Sequence, residues 1–111
     1  MKIAIPLVEG SLSMHFGHCD QFAIMEMDDQ GKVVKREDKT PPPHEPGVLP
    51  AWLHGEGVTY VIAGGMGSRA QQLFASQGIS VIVGAPFMAP EALAEACVAG
   101  TLQGGDNVCD H

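Results

Sequence analysis

The sequence predicts an α/β fold, a sheet whose early strands form a hairpin and whose later strands alternate with helices. Three observations carry this. The run Lys2-Ile-Ala-Ile-Pro-Leu7 is apolar on both faces, as a strand in the middle of a covered sheet must be. Phe22–Met27 and Lys32–Asp38 flank the turn Asp28-Asp-Gln-Gly31 and read as a hairpin. From Val48 onward helical and strand patterns alternate, which calls for parallel strands joined by right-handed crossovers.

In chain order, Val8 to Ser13 reads as loop after the first strand. The turn before the third strand places Gly31 where a positive φ is easiest. Lys32 to Asp38 alternates charge with valine, fit for a sheet edge. Thr40-Pro-Pro-Pro-His-Glu-Pro-Gly47 holds four prolines, which remove donors and fix φ; it is a stiff connector that presents His44. Val48, Leu49, Trp52 and Leu53 recur at helical spacing up to Gly55 or Gly57. Thr59–Ala63 is the fourth strand and runs into Gly64-Gly-Met-Gly67. A helix marked by Ala70, Leu73 and Phe74 stops before Gly78, and Ile79–Val83 is the fifth strand. Ala89 to Ala99 is a helix begun by Pro90 and stopped by Gly100. Residues 1–103 form one domain in this reading, and 104–111 form a flexible tail.

The 111 residues are enough for one domain. A formal charge of −7 argues against a hold on nucleic-acid phosphates or anionic membranes. No apolar run nears the roughly 20 residues that cross a bilayer, and no signal peptide is evident. The expected location is cytoplasmic, where three irregularly spaced cysteines stay reduced.

The chemistry concentrates in Ser13-Met-His-Phe-Gly-His-Cys-Asp-Gln-Phe22. Two imidazoles, a thiol and a thioether around Gly17 suit copper(I), zinc or iron–sulfur species rather than magnesium or calcium. The stretch follows the first strand, and ligands of open α/β sheets sit beyond the carboxyl ends of strands. On residues alone the alternative stands beside it: a loop with two solvated histidines and a half-buried cysteine. No Cys-x-x-Cys pair is present, so His15, His18 and Cys19 form an open, partial set rather than a closed structural zinc site.

Gly65-Met-Gly-Ser-Arg-Ala70 fits G-x-G-x-x-A between a strand and a helix, where a helix amino end offers unpaired N–H groups to an anion. The acidic residue that a dinucleotide site wants about 20 positions on is replaced by Val83-Gly-Ala-Pro86, and no Gly-Lys-Ser/Thr marks a P-loop. Arg69 is the only Lys or Arg after Lys39. It stands in a first helical turn, where a cation is unfavourable unless an anion offsets it; a solvated arginine is the alternative. Cys97, Met25, Met27 and Met88 are assigned to the core, and His54 to solvent. Cys109 and His111 end the tail and offer a soft thiolate and an imidazole to one metal; a plain terminus is the competing reading. No Gly-x-Ser-x-Gly occurs, no carboxylate pair stands on the first strand, and Cys19 with His15 or His18 lacks an evident oxyanion hole. A non-enzyme is therefore expected.

With His15-Phe-Gly17, the His44 loop and Gly64-Gly-Met-Gly67 in place, the chain resembles the dinitrogenase iron–molybdenum cofactor biosynthesis family over nearly its whole length. It is most similar to a subgroup of small stand-alone proteins with a His-Phe-Gly-His-Cys core and a Cys-Asp-His end, one of which holds a molybdenum–copper–sulfide cluster. The resemblance implies a ribonuclease H-like three-layer α/β/α fold with five strands, the second antiparallel to its neighbours. It implies a carrier of an anionic metal–sulfur cluster, of iron–molybdenum or molybdenum–copper type. His15, Phe16, Gly17, Gly65, Met66, Gly67 and Arg69 would bind the cluster, with His15, His18, Cys19, His44, Cys109 and His111 as metal ligands. Many members carry Arg where this chain has His18, which favours coordination or hydrogen bonding there. The expected partners are the metal cluster and a P-loop ATPase or another cluster-assembly protein, and the expected state is a monomer. A regulatory or partner-binding module for such an ATPase is the alternative function.

Overall fold

The computed structural model describes residues 1–13, 19–43 and 47–100. The elements are β1 (Lys2–Val8), β2 (Ser11–Leu12), β3 (Gln21–Met27), β4 (Val33–Lys39), α1 (Val48–Gly55), β5 (Val58–Ile62), α2 (Ser68–Ser76), β6 (Ser80–Ile82) and α3 (Pro90–Ala99). The long strands run in the order β4-β3-β1-β5-β6. β3 is antiparallel to both β1 and β4, whereas β1, β5 and β6 are parallel.

β1 is central because nothing from Ile3 to Leu7 needs water: Ile3, Ala4, Ile5 and Leu7 are fully buried. Its alternate side chains feed two separate cores. Ile3, Ile5 and Leu7 join Ala23, Met25 and, from α3, Leu93 and Ala94 on one face. Ala4 joins Phe22, Ile24, Val61 and, from α1 and α2, Leu49, Leu53 and Phe74 on the other. The chain is therefore a helix–sheet–helix sandwich with α1 and α2 on one side and α3 on the other. A buried leucine such as Leu53 or Leu93 contributes about 2–5 kcal/mol by the usual truncation scale.

The hairpin follows the turn chemistry. Gly31 takes φ 78°, and the Asp28 carboxylate accepts from the amides of Gln30 and Lys32, each at 2.9 Å. A Cβ at Gly31 would stand 3.0 Å from Val98 Cγ1, so α3 also packs on this turn. β4 is the charged edge. Arg36 binds Asp38 at 2.8 Å and Glu91 of α3 at 2.7 Å, and Lys39 reaches Glu56 beyond α1. α3 opens with Pro90 and closes on Gly100 in the left-handed region.

Two expectations are corrected. The sheet has six strands rather than five, because Ser11–Leu12 folds back on Leu7 and Val8 where a loop was expected. Its two-residue turn, Glu9-Gly10, has φ 52° and 82°, the positive pair that tight hairpin turns need. Glu9 is an uncommon residue for that role, so the turn was hidden. Met88 was assigned to the core but is 39 % exposed beside Phe87 at 71 %. The loop before Pro90 leaves the sheet there and has no second layer over it among the described residues. Cys97 packs half-buried against the α3 core, and His54 is exposed, both as expected.

Candidate functional site

The strand order creates one switch point. From β1 the chain moves outward to β3 and β4, crosses back through α1 to β5, and moves outward the other way to β6. Connections from β1 and β5 therefore diverge, and the crevice beyond their carboxyl ends is where open α/β sheets bind ligands. The two stretches singled out in the sequence leave from these two strand ends.

On the β1 side, Ser13 and Asp20 are the anchors. The Ser13 amide donates to the Pro6 carbonyl at 2.9 Å and the Asp20 amide to the Leu7 carbonyl at 2.8 Å. Both ends of the histidine-rich stretch are thus tied to the last residues of β1. Asp20 also accepts from the Glu9 amide at 3.3 Å, which fastens the tight turn to the same place. Cys19 is half-buried and packs against the core that contains Phe22 and Met66. Burial pushes its thiol up to about 11, with the neighbouring Asp20 carboxylate adding to the rise against a backbone hydrogen bond that lowers it. At neutral pH Cys19 is a protonated thiol, and a metal that binds it must displace a proton.

On the β5 side, pairing with β6 continues past the strand ends. The Ala63 amide donates to the Ile82 carbonyl at 2.9 Å, Gly84 to Gly64 at 2.8 Å and Ala85 to Ala63 at 3.1 Å. Gly64 and Gly65 are buried, and Met66 turns its side chain fully into the core. Met66 can therefore offer a ligand only its backbone. Gly67 is the N-cap of α2, with φ −63°, ψ 153° and no side-chain cap. The amides of Gly67, Ser68, Arg69 and Ala70 meet no acceptor among the described residues. The Gln71 side chain reaches back to donate to the Met66 carbonyl at 2.9 Å; the sequence reading missed this residue, and its only mark was a polar group four positions past the N-cap.

Arg69 is exposed at this helix start. Lys2 donates to the Glu56 carbonyl, and Lys32, Lys35, Arg36 and Lys39 all form ion pairs. Arg69 is the one cation of the six with neither among the described residues. An uncapped helix amino end and an uncommitted guanidinium give this acidic chain a local positive field.

Of the expected metal ligands only Cys19 lies within the described residues, and of the expected cluster-binding residues Gly65, Met66, Gly67 and Arg69 do. His15, Phe16, Gly17, His18, His44, Cys109 and His111 lie outside them. Among the described residues no three His, Cys, Asp or Glu side chains converge as a metal would need. The origin of the tail is placed, however. Gly100 ends α3 beside the β3–β4 turn, where Glu95 meets Lys32. That turn is at the amino end of β1, opposite the switch point.

Comparison with known proteins agrees with this architecture. The family described as dinitrogenase iron-molybdenum cofactor matches residues 1–100. The uncharacterized protein MJ0580 of Methanocaldococcus jannaschii is 33 % identical over 85 residues, 73 % of this chain and 72 % of that protein. The crystal structure of PH0822 superposes with a TM-score of 0.81 at 30 % identity, over 95 % of this chain and 96 % of that one. The apo form of the orange protein from Desulfovibrio gigas shares the fold, with a TM-score of 0.72 at 18 % identity over 96 % and 93 % of the two chains. With nearly the whole chain matched, this protein belongs to the dinitrogenase iron–molybdenum cofactor family.

Proposed function

We propose that this protein binds and carries an anionic metal–sulfur cluster as cargo at the β1/β5 switch point, without catalysing a reaction on it. The observation that carries the reading is the uncapped start of α2 with the uncommitted Arg69, at the strand end next to the one that bears Cys19. Family membership supports it. The backbone of Gly65, Met66 and Gly67 and the Arg69 side chain take the anionic face of the cargo. Cys19, with His15 and His18, supplies soft and borderline donors, and His44, Cys109 and His111 complete the ligand set from outside the described residues. Phe16 and Gly17 shape the contact. Both iron–molybdenum and molybdenum–copper sulfide clusters fit this donor chemistry. Strand order and the antiparallel β3 fit the ribonuclease H-like class, and the carrier acts as a cytoplasmic monomer in this account.

Titration with tetrathiomolybdate, alone and with copper(I), tests the reading. Charge-transfer absorption should saturate at a fixed stoichiometry and weaken in Arg69→Ala. An unchanged affinity in that variant at low and high salt would remove Arg69 from the site.

A second reading has its own observation. Phe87 and Met88, both exposed, leave the sheet at the same end as the glycine loop. An apolar loop beside the site suits docking to a protein such as a P-loop ATPase of cluster assembly. Phe87→Ser would then abolish partner capture while leaving tetrathiomolybdate absorption intact.

A further inference from the structure

We propose that Gln71 is a positioning residue that locks the Met66–Gly67 peptide with its N–H directed at the cargo, an inference that rests on the carrier reading above. In a trans peptide the C=O of one residue and the N–H of the next point in opposite directions. The Gln71 side chain holds the Met66 carbonyl at 2.9 Å, so the same contact aims the Gly67 amide away from Gln71. Gln71 borders the groove between α2 and the outer edge of β6, with Ser68, Gln72, Ser80 and Val81. The opposite direction leads away from Gln71, and no acceptor among the described residues meets the Gly67 amide.

The choice of glycine at 67 makes a lock necessary. Gly67 sits at φ −63° and ψ 153°, a conformation any residue adopts. A Cβ there would meet nothing within 4 Å. Neither backbone nor space requires glycine in the observed state. What glycine adds is access to positive φ, and rotation of the 66–67 peptide uses that freedom. The rotated peptide would present a carbonyl oxygen, which repels an anion, in place of a donor. Gln71 holds the donor orientation from within α2, which is itself fixed by buried Phe74.

The experiment pairs amide NMR of the unliganded protein with tetrathiomolybdate titration. In Gln71→Leu the Gly67 amide signal should split or broaden and its HN–Hα couplings change, while α2 signals stay. Affinity should fall roughly tenfold, as the loss of one charge-assisted amide contact implies. Gln71→Met, unbranched and equally long, serves if leucine is not accommodated. In a Gly67→Ala background positive φ is disfavoured, so adding Gln71→Leu should then cost much less affinity than it does in the wild type. Gly67 signals unchanged by Gln71→Leu overturn the lock. Altered signals with full affinity, or equal losses in both backgrounds, overturn its bearing on the cargo. A wild type that binds no tetrathiomolybdate or copper overturns the carrier reading instead, and the Gly67 signals still judge the lock.

Discussion

The Gly84 amide donates to the Gly64 carbonyl at 2.8 Å, so the loops after β5 and β6 are hydrogen-bonded to each other beyond the strands. Gly64 leads into the Gly65–Gly67 backbone, proposed above to face the cargo, and Gly84 supports it from the next strand. Gly84 needs glycine, since its φ is 69°; Gly67 does not.

The two glycines should therefore respond differently. Gly84→Ala places an L-residue in the left-handed region and should cost about 1–2 kcal/mol. Gly67→Ala, at a compatible φ with open space, should change stability by less than about 1 kcal/mol, in either direction. Urea denaturation of both variants checks this.

Cys19 should be a slow nucleophile in the unliganded protein. Its thiol is pushed up to about 11, so alkylation by iodoacetamide should be slower at pH 8 than for an unhindered cysteine and should rise steeply only towards pH 11. The linkage has a definite sign. A group whose folded pKa is raised contributes stability that is full below its ordinary value of 9.0 and is lost as pH rises towards about 11. Cys19→Ala should flatten that alkaline decline in a pH series of urea melts.

The tail should act only within a narrow reach. From Gly100, at the amino end of the sheet, to Cys109 the chain spans at most about 30 Å fully extended. The length of β1 that it must pass is about 20 Å. Truncation after Leu102 should leave folding intact and speed loss of a bound thiometallate. Deleting Gln103–Gly105 should give most of the same effect although Cys109 and His111 remain. Full retention in both variants, followed by absorption after dilution, would rule out a role for the tail.

Arg36 fastens the edge strand to α3 through Glu91, at 2.7 Å. The guanidinium hydrogen bond holds the Glu91 carboxyl below its usual range, so its contribution is present above that range and fades as pH falls through the lowered value. The pair is partly exposed, so Glu91→Gln should cost no more than about 1 kcal/mol at pH 7 and less at pH 3. Thermal melts at the two pH values measure the difference.

The parts of this fold that were legible in the sequence are those set by local chemistry. β1 was readable from an unbroken apolar run, the Asp28–Gly31 turn from its residue types, and α3 from Pro90 and Gly100. The tight turn at Glu9-Gly10 was not, because Glu9 adopts a positive φ that its residue type does not announce. Met88 was misread because an apolar residue in a loop carries no mark of which side it faces. In the site, Arg69 and Gly67 were legible as types in a pattern. The Gln71–Met66 contact was not, since a glutamine in a first helical turn does not announce that it turns back on the preceding loop, and the Gly84–Gly64 contact arises only when the loop after β6 packs beside the loop after β5.

Whether the protein carries a metal–sulfur cluster is decided by the metal and sulfide content of the protein isolated from its native host, read together with its absorption spectrum. A cluster carrier should hold molybdenum or iron with acid-labile sulfide in fixed proportion to protein, with charge-transfer bands that disappear when the cluster is removed and return on incubation with tetrathiomolybdate and copper(I). A protein that is colourless and metal-free as isolated, and stays so after that incubation, would contradict it.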